Sequence, residues 1–147
     1  MTRTNRARAG EPRVRAAASA VLAALALAVL ACGEADEPEA EALRHVSQPE
    51  ALALLEADAP PLFLDVRTPE EFAGGRVAGA LLVPHTELPD RLDEVLAQRE
   101  RLVVVYCESG RRAAQALDLL QEAGLEHLAV LDGHMKAWRE AGLPLER

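Results

Sequence analysis

The sequence predicts an α/β protein whose mainly parallel five-stranded sheet forms the middle of three layers. Short apolar runs alternate with helical segments along residues 43–147, and repeated β–α alternation builds a parallel sheet that is covered on both faces. The strongest run, residues 102–106, consists of four apolar residues and a tyrosine and is rich in valine. Such a run is typical of a strand that is buried on both faces.

Five strands are predicted, in chain order, at residues 43–46, 62–65, 80–83, 102–106 and 127–131. Residues that break regular structure bound several of them. Pro60 and Pro61 precede the second strand, and Pro84 ends the third. The spacing leaves room for one helix between each pair of successive strands.

Helix-start patterns follow the first two strands. Ser47 and Thr68 each stand three residues before a glutamate, which is the pattern of a capping box, and Pro69 suits the first helical position. The first helix is expected to end near Ala57 and the second at the pair Gly74-Gly75. Three further helices are predicted at residues 88–97, with apolar residues along one face, at 113–123 and at 135–141.

The segment that joins the central strand to the next helix is Cys107-Glu108-Ser109-Gly110-Arg111-Arg112. It lies where parallel sheets bind ligands, and a helix start offers unpaired N–H groups and a positive dipole end. With two arginines added, this setting favours the thiolate of Cys107, which is the nucleophilic form, and a loop that binds an anion. Taken alone, the cysteine could also be an inert small apolar residue.

Three motifs resemble those of the single-domain rhodanese-like sulfurtransferases. Residues 107–112 fit the active-site loop C-x-x-G-x-R of that family, residues 64–80 resemble its first signature, and residues 131–144 resemble its C-terminal one. The resemblance covers residues 43–146 and implies a rhodanese-like α/β/α fold. It further implies that Cys107 carries sulfur as a persulfide from a donor such as thiosulfate to a thiol or cyanide. Arg76 departs from the family, which often has histidine there, at a position peripheral to the thiol.

The resemblance assigns the remaining site residues and partners. Glu108, Ser109, Gly110, Arg111 and Arg112 would bind the anion, chiefly through backbone N–H groups and the Arg112 side chain. Asp65 and Arg67 would frame the pocket; a turn with a surface ion pair is the other reading of these two. The implied partners are a small sulfur-donor anion and a thiol acceptor, and neither a metal nor an organic cofactor is needed. The four histidines lack metal-ligand spacing and are expected to be structural or exposed, and Trp138 is expected in the core.

Two other functions stay open. The same fold family includes phosphatases and arsenate reductases with the arrangement His-Cys-x5-Arg. Here Tyr106 precedes the cysteine, Ala113 stands six residues after it, and the last loop arginine comes at five. The loop is therefore one residue shorter and should poorly admit a tetrahedral phosphoryl group. A non-catalytic protein-binding module is the third reading, against which the intact cysteine and both arginines argue.

The N-terminus is predicted to be an export signal. Five arginines precede an uncharged apolar run at residues 16–31, which is short for a spanning helix and typical of a signal peptide. The segment Val29-Leu30-Ala31-Cys32 resembles a bacterial lipobox, which implies a signal peptide at 1–31 and lipidation of Cys32. An ordinary secretory signal and an uncleaved anchor are the alternatives.

Residues 33–42 carry five acids and no base, so we expect residues 32–42 to be a lipidated cysteine with a disordered acidic linker. Without the leader the chain has 11 basic and 23 acidic residues, a net charge of −12. That charge argues against nucleic acid as a partner. One domain, residues 43–147, remains. We expect the protein to be a monomer. Its lipid would anchor it to a cell-envelope membrane, and the domain would lie in the periplasm or otherwise outside the cytoplasmic membrane.

Overall fold

A computed structural model of the chain describes residues 43–147; the predicted signal peptide, Cys32 and acidic linker lie outside the described residues. Within them the sheet has five strands, namely β1 (Arg44–Val46), β2 (Leu62–Asp65), β3 (Leu81–Leu82), β4 (Val103–Tyr106) and β5 (Leu128–Leu131). Their order is β1-β5-β4-β2-β3, and every neighbouring pair is parallel. The predicted α/β fold is confirmed, and β4, which leads to the cysteine, is the central strand.

The helices are α1 (Gln48–Leu55), α2 (Pro69–Gly74), α3 (Leu92–Leu96), α4 (Arg111–Glu122) and α5 (His134–Glu140). Buried side chains of α3 and α4 pack with one face of the sheet, and those of α1 and α5 pack with the other. Alternate residues of β4 divide between these two apolar clusters, as the two-residue period of a strand requires. In the described part of the chain, no helix has the length and apolar character needed to cross a membrane.

Trp138 lies in the core as predicted, fully buried, with its indole N–H donating to the carbonyl of Pro144 at 2.9 Å. Beyond it, the C-terminal residues fold back on the segment between α2 and β3. The backbones of Arg76 and Glu146 exchange two hydrogen bonds of 3.0 Å, and the Glu146 carboxylate accepts the Gly79 N–H at 2.8 Å. Arg76 therefore fastens the end of the chain and takes no part in the cysteine loop.

The third strand and the helix after it lose the largest share of their predicted lengths. The third strand covers two residues rather than four. Residues 85–91 form turns, so the helix predicted at 88–97 is reduced to α3. Pro89 disfavours helical geometry at the residue before it, Leu88, and so moves the start of the helix beyond the predicted one. The apolar face was predicted correctly, since Leu88 and Val95 are fully buried.

The two capping boxes differ in outcome. At α2 the box is complete: Thr68 Oγ1 accepts the Glu71 N–H at 3.3 Å, and the Glu71 carboxylate accepts the Thr68 N–H at 3.0 Å. At α1 only half forms. Ser47 accepts from the Glu50 N–H at 3.4 Å, but the Glu50 carboxylate binds Arg44 at 2.6 Å. The prediction of a full box at α1 is therefore wrong, because a nearby cation takes the carboxylate.

Candidate active site

The thiol lies at the carboxyl end of the central strand. Cys107 follows β4 directly and is only 1% exposed. The N–H of Gly110 donates to its Sγ at 3.1 Å, and Gly110 turns the chain with a φ of 111°, which glycine adopts readily. The helix α4 begins at Arg111, two residues earlier than predicted, so both arginines belong to its first turn. The turn from Cys107 to Gly110 places the sulfur at the start of a 12-residue helix.

Arg112 reaches toward the sulfur and is held by a carboxylate from α2. Its two terminal nitrogens donate to the two oxygens of Glu71 at 2.6 and 2.8 Å. The Arg112 hydrogen bonds hold the pKa of Glu71 at about 2, against the opposing effect of burial. In turn Glu71 raises the pKa of Arg112, burial lowers it, and the sulfur of Cys107 contributes to raising it. Arg112 is thus a fixed cation beside the thiol.

Asp65 and Arg67 form a buried pair at the end of β2. Asp65 is fully buried and Arg67 is 1% exposed, so the reading as a surface ion pair is wrong. Three side-chain hydrogen bonds of 2.6 to 3.0 Å join them, and Arg67 also donates to the Gly75 carbonyl at 2.9 Å. Burial lowers the pKa of Arg67, but the hydrogen bonds and charge of Asp65 outweigh it and the pKa is raised.

Tyr106, the last residue of β4, packs against this pair. The guanidinium of Arg67 lies 5.8 Å from the centre of its ring, and its hydroxyl oxygen accepts the Val77 N–H at 3.3 Å. Burial raises the pKa of Tyr106, and the Asp65 carboxylate raises it further. The residue before the cysteine is therefore a neutral, fully buried part of the support beneath the loop.

Glu108 behaves differently from the other loop residues. Its carboxylate forms an ion pair with Arg139 of α5 and lies 3.8 Å from Arg67. Because the Glu108 carboxylate is negative and already paired, the side chain cannot bind an anion. Only the backbone N–H of Glu108 can do so. Ser109 and Arg111 are exposed, and no side-chain hydrogen bond of either is found within residues 43–147.

The start of α5 packs against the same turn. The N–H groups of Met135 and Lys136 donate to the carbonyls of Cys107 and Glu108, each at 3.1 Å. His134 accepts the Cys107 N–H through Nδ1 at 3.4 Å. His134 was predicted to be structural or exposed, and no sequence pattern indicated this contact.

The structure brings Cys107, Gly110 and Arg112 together, and it packs the Asp65–Arg67 pair against Tyr106, the residue before the cysteine. It adds Glu71 and His134, which the sequence motifs did not assign. The capping box marked Glu71 in the sequence as a helix-start residue. No sequence pattern indicated that it would pair with Arg112, which lies 41 positions later. A buried thiol held by an N–H donor and a fixed cation can attack a small electrophile and stabilise the anion that forms.

Comparison with known proteins agrees with this geometry. The family model of the rhodanese-like domain matches residues 47–141. A sulfurtransferase of Allochromatium vinosum is 39% identical over 84 residues, which are 57% of this chain and 77% of that protein. Thiosulfate sulfurtransferase 16, chloroplastic, of Arabidopsis thaliana is 36% identical over 92 residues, 56% of this chain and 77% of the relative. Two longer relatives are matched over only 52% and 36% of their length.

Among solved structures, a rhodanese-related protein from Thermoplasma volcanium superposes with a TM-score of 0.62 at 27% identity. The superposition covers 70% of this chain and 97% of that one. The fold, the cysteine loop and the family match agree with one another, and the chain belongs to the rhodanese-like domain family.

Proposed function

We propose that the chain is a sulfurtransferase that carries sulfane sulfur on Cys107. The observation that supports this most directly is the setting of Sγ, which accepts the Gly110 N–H at the start of α4 while Glu71 fixes Arg112 beside it. An oriented N–H and a fixed guanidinium stabilise a negative sulfur without reorganising during the reaction. The sulfurtransferase names of two relatives support the same proposal.

The reaction with thiosulfate balances without an external oxidant. The Cys107 thiolate attacks the outer sulfur, the S–S bond of thiosulfate breaks, and sulfite leaves with the electron pair. Cys107 then carries an anionic persulfide. An acceptor thiolate attacks the outer sulfur of that persulfide, the bond to Sγ breaks, and the cysteine thiolate is restored.

The chain's own groups serve both steps. The Gly110 N–H and the start of α4 face Sγ, which is negative before sulfur is loaded and again after it has passed to the acceptor; in the persulfide between these steps the charge lies on the outer sulfur. Arg112 would bind the oxyanion end of the donor in competition with Glu71. Because Cys107 is almost fully buried, the site favours small donors, or acceptors that present a single slender thiol.

Loop length separates this proposal from phosphatase or arsenate reductase chemistry. In the structure the Gly110 N–H already donates to Sγ, and α4 starts at the next residue. A cradle for a tetrahedral phosphoryl group needs a wider ring of N–H groups around the sulfur. We therefore propose sulfur transfer as the chemistry of this turn.

Mass spectrometry of the full chain after incubation with thiosulfate tests the proposal. We expect the Cys107 peptide to gain one sulfur atom and to lose it on addition of a thiol or cyanide. Cys107→Ser, a nearly isosteric change, should abolish the gain and keep the fold. A wild-type chain that gains no sulfur would support a non-catalytic binding module instead.

We also propose that the chain is exported and anchored through a lipid on Cys32. This rests on the basic start, the apolar run and the lipobox-like ending of residues 1–32, all of which lie outside the described residues. The domain would then act at a cell-envelope membrane, outside the cytoplasm.

A further inference from the structure

His134 has an unusual backbone conformation. It is the one residue other than glycine with a positive φ within residues 43–147, at 53°. Side chains with a β-carbon rarely adopt this left-handed region, and where they do the surrounding structure must enforce it, often at functional sites. Gly133 before it is also left-handed, with a φ of 66°. The chain therefore makes two such steps where β5 leads into α5.

The His134 ring spans the turn that carries the thiol. At one end, Nδ1 accepts a long hydrogen bond of 3.4 Å from the Cys107 N–H. At the other end, Nε2 lies 2.9 Å from the point that a β-carbon on Gly110 would occupy. Only glycine leaves room for the imidazole there. The ring thus contacts the first and the last residue of the turn.

Gly110 is the residue whose N–H donates to Sγ. A shift of Gly110 therefore moves the donor that faces the sulfur. The carbonyls of Cys107 and Glu108 are already bound by the N–H groups of Met135 and Lys136. With the ring of His134 in place, α5 holds both the backbone of the turn and its closing glycine.

This contact requires a neutral imidazole. Nδ1 can accept an N–H only when it carries no proton, so the proton of the ring is on Nε2. Burial lowers the pKa of His134, Asp132 raises it and His45 lowers it. Asp132 is itself bonded to His45 at 2.7 Å. The other titratable neighbours on the turn are the thiol of Cys107 and Glu108, whose carboxylate is paired.

We propose that neutral His134 is a positioning residue for the Cys107–Gly110 turn, and that its protonation releases this turn. A proton on Nδ1 would replace the acceptor with a second donor facing the Cys107 N–H. The benefit of this positioning rests on the proposed function, because a fixed Gly110 N–H donor matters most when the sulfur carries charge during transfer. The positioning itself can be measured without any sulfur transfer.

Two variants separate the parts of the proposal. In His134→Asn, Oδ1 takes the place of Nδ1, asparagine tolerates positive φ, and the side chain cannot titrate. His134→Gly removes the ring and relieves the backbone. His127→Asn is the matched control, since His127 is exposed and its side chain forms no hydrogen bond among the described residues.

The measurement is the rate of alkylation of Cys107 by iodoacetamide in the full chain, followed on the Cys107 peptide, over roughly pH 5 to 8, where histidine titrates. At the upper end we expect His134→Gly to react about 3- to 10-fold more slowly than the wild type, because the released Gly110 N–H no longer stabilises the thiolate that iodoacetamide alkylates, the effect of losing one hydrogen bond. His134→Asn should react at nearly the wild-type rate. As pH falls, the wild-type rate relative to His134→Asn should fall by a similar factor, and His127→Asn should follow the wild type.

Equal rates for the wild type and His134→Gly, or the same pH profile for the wild type and His134→Asn, would overturn the positioning role. Should the glycine variant fail to fold by circular dichroism, the comparison with His134→Asn alone decides. Sulfur uptake from thiosulfate on the same samples keeps the two proposals apart. Its absence in the wild type would refute the proposed function and leave the alkylation result standing.

Discussion

The carboxylate of Glu71 and the guanidinium of Arg112 face each other in a two-pronged ion pair, with N···O distances of 2.6 and 2.8 Å. The same carboxylate closes the capping box of α2 by accepting the Thr68 N–H. One glutamate therefore secures the start of a helix and sets the direction of the cation beside Cys107. The cation is held in place before any substrate arrives, which lowers the ordering cost of binding.

Glu71 should make the stability of the domain depend on pH in acid. Its pKa is about 2 in the folded chain, whereas the ordinary value for a glutamate side chain is 4.5. The stabilisation is therefore complete above about 4.5 and lost as pH falls through about 2. We expect Glu71→Gln to reduce the loss of unfolding free energy between these two pH values, measured by urea unfolding, by about 1 kcal/mol. The effect is this small because the ion pair is partly exposed and solvent screens it. Glu122→Gln, an exposed change on α4, is the control and should keep the wild-type slope.

Arg112 should contribute to capture of the sulfur donor. One charge-assisted contact to an anion contributes about 1.5–3 kcal/mol, so Arg112→Ala should lower thiosulfate uptake about 10- to 100-fold. Arg112→Lys should recover only part, because a point charge replaces a planar fork. Initial rates of sulfur loading measure both. Uptake by Arg112→Ala at the wild-type rate would show that the N–H donors suffice.

A double-mutant cycle should reveal the coupling of Glu71 and Arg112. Because the two side chains share hydrogen bonds, the effects of Glu71→Gln and Arg112→Ala on sulfur loading should not add. We expect the double variant to resemble Arg112→Ala alone. Additive losses would mean that Glu71 acts on the site by another route.

Asp65 should be needed for folding. Its carboxylate accepts three side-chain hydrogen bonds from the buried guanidinium of Arg67. Removing one partner of a buried ion pair costs about 3–5 kcal/mol, since the other charge stays buried. Asp65→Asn should therefore shift the urea-unfolding midpoint strongly, whereas Asp58→Asn in an exposed turn should not. A small shift would indicate that water or the Gly75 carbonyl compensates Arg67.

Loop length should decide the chemistry. The unaltered chain should load sulfur from thiosulfate and leave an aryl phosphate unhydrolysed. A glycine inserted between Gly110 and Arg111 should weaken sulfur loading, because it moves the Gly110 N–H off the sulfur and Arg112 off Glu71. A glycine inserted between Asp58 and Ala59, in an exposed turn, is the matched control. Rapid hydrolysis of aryl phosphate without sulfur loading would favour the phosphatase reading.

Cys32 should decide whether the exported chain is retained at the membrane. Cys32→Ala should release the domain or leave the precursor unprocessed, as seen by fractionation and intact mass. A wild-type chain found wholly in the soluble exported fraction would contradict lipidation.

The sequence predicted those parts of the fold that depend on local pattern. The valine-rich run indicated β4, and the alternation of runs indicated the parallel sheet. The helix at residues 88–97 was overestimated because its apolar face is real, whereas the residues before Leu92 form turns and Pro89 disfavours helical geometry at Leu88. Burial decided the status of Asp65 and Arg67, and the sequence offered no way to distinguish a buried pair from an exposed one.

The candidate site was predicted where a motif lies within one loop. Cys107 and Gly110 could be found this way. Glu71 and His134 could not, because each contacts the loop from an element far along the chain. The capping box marked Glu71 as a helix-start residue only. Nothing in the segment from Asp132 to Met135 indicated that a histidine would adopt a positive φ and turn its ring toward the thiol.

The edge strand β1 has its own consequence for how the chain is made. Arg44 pairs with Ala129 and Val46 with Leu131, so the first strand of the domain can pair only after the last strand has been made. Pairing across so long a stretch of sequence is slow, because the ends of a large loop must meet first. A nascent chain that has emerged only as far as β4 lacks β5 between β4 and β1, and both strands keep open edges. The domain therefore completes its sheet only after β5 has been made, and until then the open edges of β1 and β4 are exposed to aggregation.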